Sequence, residues 1–140
     1  MKYAILFVFT FLVTNPAFSI DNDVRIFYIP LDAETFTRIS IHNIEYYSPK
    51  MDGVTPSDNR YDISDRDYRR ILNLTKNGDV AAFDGDVVRI KIYSDIFGAI
   101  YIDQNGVSLH EDGSMLALSK EGKTELISII EQTTGLVFND

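Results

Sequence analysis

The sequence predicts an α+β domain: an antiparallel β-sheet of about five to seven strands, with a meander in its C-terminal half and two helices packed on one face. Apolar residues alternate at period two over Val87–Tyr93, where Val88, Ile90 and Ile92 face one side and Arg89, Lys91 and Tyr93 the other. Asp84-Gly85 and Asn105-Gly106 are two-residue hairpin signatures whose turn residues both need positive φ, and Asp112-Gly113 is a third turn signal. Two segments, after Ser64 and after Ser119, carry apolar residues at helical spacing between a capping serine and a glycine stop.

Residues 1–19 read as a cleavable secretory signal peptide ahead of this domain. Lys2 supplies the positive start, Ala4–Val13 is apolar apart from Thr10, and Pro16 breaks the run. Ala17-Phe18-Ser19 then places small residues at the −3 and −1 positions that a signal peptidase needs. A membrane anchor fits less well, because a span needs roughly 20 apolar residues. The expected organisation is residues 1–19 as signal and residues 20–140 as a single domain.

Within the domain, Val24–Ile29 is rich in β-branched and aromatic residues and stops at Pro30, which predicts a strand. Arg38–Tyr47 is the second expected strand. Its alternation slips by one residue at Asn43, which suggests a bulge. Residues 49–62 form a polar loop with Pro49, Gly53 and Pro56. Ser64 caps the first helix, and Asp67 approximates a capping box. Tyr68, Ile71, Leu72 and Thr75 make its buried stripe, Asn77-Gly78 ends it, and Arg66, Arg69 and Arg70 are expected in solvent. The strands Val87–Tyr93, Ala99–Asp103, Val107–His110 and Met115–Leu118 follow as a meander. A helix from Ser119 to Gly135 closes the chain, with Leu126, Ile129, Ile130 and Thr133 facing inward.

Charge and composition narrow the function. Removing residues 1–19 removes one lysine and no acid, which leaves 12 basic and 21 acidic residues, a net charge of −9. Such a surface repels nucleic-acid phosphates and anionic membranes, and it steers a basic protein partner inward. Cysteine is absent, which excludes a lipoprotein anchor, structural disulfides and thiolate metal sites. An exported domain without disulfides fits a bacterial periplasm. Asn73-Leu74-Thr75 matches a glycosylation sequon but falls inside the expected helix.

No catalytic motif stands out. His42 and His110 lie on different expected strands with no third zinc ligand at local spacing, and G-x-S-x-G, S-x-x-K and H-E-x-x-H are all missing. Asp58, Asp62, Asp65 and Asp67 cluster at the start of the first helix. A calcium loop would need a different spacing, and acids at a helix start are favoured by the macrodipole alone. We therefore expect no catalytic, cofactor or metal residues. The expected function is an exported, non-enzymatic binding protein, analogous in class to periplasmic inhibitor and immunity-type proteins that neutralise a secreted enzyme or toxin. The alternative is a small periplasmic hydrolase or ligand-binding domain. The expected partner surface is the loop 49–62 and the helix start: Asp52, Asp58, Asp62, Asp65 and Asp67 as acids around Tyr61 as an aromatic anchor.

Overall fold

The structure, a computed structural model, describes residues 23–35, 37–48, 59–96 and 98–135. The signal-peptide segment therefore lies outside the described residues. The elements in chain order are β1 (Asp23–Tyr28), the single-turn helix α1 (Ile44–Tyr47), β2 (Arg60–Asp62), α2 (Asp65–Lys76), β3 (Asp79–Val80), β4 (Val88–Ser94), β5 (Gly98–Asp103), β6 (Val107–His110), β7 (Met115–Ala117) and α3 (Lys120–Thr134). The strands form one antiparallel sheet in the order β2-β1-β4-β5-β6-β7-β3. The expected α+β class and meander are thus present, with the meander β4–β7 at the centre.

One face of the sheet is covered by α2 and α3. Ile26, Ile92 and Ile100 stand side by side across β1, β4 and β5, and Tyr28, Ile90 and Ile102 form the next row. Tyr68 and Ile71 from α2 and Leu126, Ile129 and Ile130 from α3 pack onto these rows. Full burial of each large aliphatic side chain stabilises the fold by about 1.5–3 kcal/mol. Both helices start where the sequence places their caps. Ser64 Oγ accepts the Asp67 N–H at 3.1 Å, and Ser119 Oγ accepts the Gly122 N–H at 3.0 Å. Gly135 ends α3 in the left-handed conformation, φ 70°. Thr134, rather than Thr133, is the buried residue of the last turn. Arg70 is not simply solvated: it bridges the helices, donating to Glu125 Oε1 at 2.8 Å and Asp67 Oδ1 at 2.9 Å.

The segment Arg38–Tyr47 is not a strand. Asn43 is the cause, because its side chain competes for the backbone groups that a ladder would need. Asn43 Oδ1 accepts the Ser40 N–H at 2.6 Å, and Asn43 Nδ2 donates to the Arg38 carbonyl at 3.2 Å. The chain turns there and enters α1, so the slip in alternation marks a turn rather than a bulge. Ile39 keeps a single parallel bridge to Val87. Ile39 and Ile44 then pack with Phe27, Ile29 and Val88 into a second, smaller core on the other face of the sheet. Consequently that face is covered at one end, and Arg89, expected on a wet face, is buried.

Asp84-Gly85 does not close a hairpin. β3 pairs with β7 and β4 with β1 and β5, so this turn belongs to a crossing from the sheet edge to its centre. Gly85 is not among the glycines with positive φ. Asn105-Gly106 does join β5 to β6, but only Gly106 takes positive φ, at 80°, as in a three-residue loop with glycine last.

Candidate functional site

The expected partner patch is only partly assembled. Asp52 and Asp58 lie outside the described residues. Tyr61 stands on β2 opposite Val24 and is buried in the helix-side core, so it is not an exposed anchor. Its phenol is pushed up by that burial. Asp62 and Asp65 are exposed near the start of α2. Asp67 is occupied locally: the Ser64 hydroxyl and Arg70 hold its carboxyl below the usual range. His42 is exposed in the turn before α1, whereas His110 is buried with Nε2 at 2.9 Å from the Thr75 carbonyl oxygen. Among the described residues, no three His, Asp or Glu side chains converge; His42 donates its backbone N–H to Ser40 Oγ at 3.3 Å, and the His110 ring meets a backbone carbonyl.

A different surface emerges from the register of the sheet. Phe27, Lys91, Tyr101, Leu109 and Met115 stand opposite one another across β1, β4, β5, β6 and β7. They share the face that α2 and α3 leave free. The Phe27 end is sealed by α1, and the other end opens progressively until Met115 is exposed. At the sealed end α1 presents two more tyrosines: Tyr46, 84% exposed, and Tyr47, 42% exposed, with ring centroids 5.4 Å apart and edge-to-face.

Cations fix the central rings. Lys91 Nζ lies 5.8 Å from the Phe27 ring centroid, 5.9 Å from Tyr93 and 5.5 Å from Tyr101, and it pairs with the Glu45 carboxylate. The Arg25 guanidinium lies 5.7 Å from the Tyr93 centroid. Each such contact is worth about 0.5–1 kcal/mol at an exposed site, enough to bias rotamers. A hydrogen bond to Asp95, with Glu111 also near, pushes the Tyr93 phenol up. Glu111 Oε1 accepts the Ala99 N–H at 3.2 Å. Glu45, Asp95 and Glu111 therefore set carboxylates around an aromatic centre. Rigid tyrosines with an acidic margin can bury contact area while orienting a cationic partner.

Alternation had separated Lys91 and Tyr93 from Ile90 and Ile92, but it also put Val88 with those isoleucines. A register shift between Val88 and Ile90 instead places Val88 in the core of the Lys91 face. Alternation could not show which end of that face stays open, because that depends on where Ile39 and α1 dock.

Fold and site together define a class: an α+β domain with one sheet face sealed by helices and the other carrying a half-open tyrosine surface. No protein-family model, no curated protein and no solved structure matches the chain.

Proposed function

We propose that this chain is an exported, non-enzymatic binding protein of the periplasmic inhibitor or immunity type, and that the open sheet face docks a basic protein partner. The observation that carries this reading is the cross-strand row of Phe27, Lys91, Tyr101, Leu109 and Met115, which, among the described residues, α1 and the Ile39 segment cover at the Phe27 end. Tyrosines held by neighbouring cations lose little freedom on binding, and they are the residue type that most often supplies hot spots. The rim acids and the net charge of −9 expected after removal of residues 1–19 raise the association rate of a cation-rich partner. No helix among the described residues is long and apolar enough to cross a membrane.

Two measurements test the reading. N-terminal sequencing of the protein recovered from a periplasmic fraction is expected to begin at Ile20; an intact Met1 removes the export step. A partner captured from that fraction is then titrated against Tyr101→Ala combined with Leu109→Lys. These side chains are half-buried on the open face, so the circular dichroism spectrum stays unchanged. Affinity is expected to fall by about 30-fold, which corresponds to one hot spot of about 2 kcal/mol. Added salt should slow association more than it speeds dissociation. Undiminished binding by the folded double variant moves the interface elsewhere.

A further inference from the structure

Arg89 is a charged residue in the middle of the sheet, only 2% exposed. Burial of an isolated guanidinium is costly unless an anion or a complete set of acceptors compensates. Here the acceptors are all neutral. Nη1 donates to the Val88 carbonyl at 3.4 Å, and Nη2 donates to Gln104 Oε1 at 3.0 Å, the Ala33 carbonyl at 3.2 Å and Thr35 Oγ1 at 3.5 Å. Nε is buried and has no hydrogen-bond partner.

Two nearby carboxylates, Asp103 and Asp86, are committed elsewhere. Asp103 is fully buried and accepts three backbone N–H groups, from Asp84, Asn105 and Val107, each at 2.9 Å. Asp86 pairs with Arg38 at 3.0 Å. Among the described residues, no carboxylate forms an ion pair with Arg89. Desolvation pushes its pKa down, as expected for a cation held without a counter-charge.

Arg89 also lines a cavity of about 420 Å³, together with Thr35, Thr37, Arg38, Val87 and Gln104. That volume falls within the usual range of small-molecule sites. Thr35 and Thr37 are exposed, and so is Arg38, whose guanidinium is shared with Asp86 in an exposed ion pair. Glu34 also borders the cavity; it is exposed and pairs with neither arginine.

We propose that this cavity binds a small oxyanion, a carboxylate or a phosphoryl group, with Arg89 as its buried counter-charge and Arg38 at its mouth. A guanidinium with spare N–H donors suits oxygen anions, whose lone pairs accept its directional bonds. The site uses no residue of the row assigned to the protein partner, so it stands or falls independently of that role.

The test uses the purified exported chain and three probes at matched ionic strength: inorganic phosphate, succinate and sodium chloride. The Arg89 Nε–H resonance is followed by ¹H–¹⁵N NMR, and Tm is measured in parallel. Phosphate or succinate is expected to give a saturable shift and a Tm rise of a few degrees, with chloride giving neither. The arm that saturates at lower concentration identifies the group, phosphoryl or carboxylate. Arg38→Glu, at an exposed position, should weaken binding roughly tenfold without unfolding. Arg89→Met should abolish the Tm rise; if that variant does not fold, the wild-type resonance and Arg38→Glu decide. The proposal is overturned if chloride reproduces the shift, if no oxyanion moves the resonance, or if folded Arg89→Met keeps the response. It also falls if Glu34→Gln moves the Arg89 resonance with no anion present, because Glu34 is then the internal counter-charge.

Discussion

Tyr68 shows what the helix-side core does to a polar atom. An ordinary phenol titrates near 10, but burial disfavours the phenolate and pushes Tyr68 up to about 12, with a hydrogen bond to Ser94 offsetting a little of the rise. The folded state therefore holds the proton more tightly than the unfolded chain. The stability this confers is complete below pH 10 and is lost as pH rises through 10 toward 12. Urea unfolding across that range should show wild type losing about 2 kcal/mol more than Tyr68→Phe, which has no proton to lose. A curve for Tyr68→Phe parallel to wild type would refute this account. Asp103 and Arg89 make a second contrast at this scale. Both are buried charges, but Asp103 is fully bonded by backbone amides. One of those amides lies 19 residues away, on Asp84, so no local pattern announces the role of Asp103. Ser64 and Ser119 act within three residues, and their roles were legible.

Elements follow the same division between local and distant causes. The bounds of α3 could be read from Ser119 and Gly135 because the signals that start and stop a helix sit at its ends. Strands β4 to β7 were legible because each pairs with the next through a short connection. Arg38–Tyr47 was not, because alternation counts side chains and cannot see Asn43 taking the Ser40 amide. Asp84-Gly85 misled for a related reason: the dipeptide is a turn signal, but which strands flank the turn is decided by β7 claiming β3. That claim depends on Gly78, where the chain leaves α2. A Cβ at Gly78 would run into the Ala117 carbonyl, a backbone group that cannot swing aside. Gly78→Ala is therefore expected to destabilise the domain by at least about 2 kcal/mol, with amide exchange fastest at Asp79, Val80 and Leu116. Unchanged urea stability would show that β3 and β7 can separate at little cost.

At the scale of the whole molecule, the described residues place the two long helices on one side of the sheet and α1 with the Ile39 segment at one end of the other. That asymmetry is why the candidate surface was only half legible. The pattern of β4 assigns Lys91 and Tyr93 to one face, but the shape of that face comes from a turn near Asn43. The expected patch at Tyr61 failed for the converse reason: pairing with β1 turns a residue at a loop end into the core.

The ordering of strand lengths has its own consequence. The centre of the sheet holds β4 with seven residues and β5 with six, whereas the two outer strands, β2 and β3, have only three and two. A long bare margin would offer another copy a rail of unpaired N–H and C=O groups along which to zip. Among the described residues these margins are brief, which leaves little of that rail for another copy to extend.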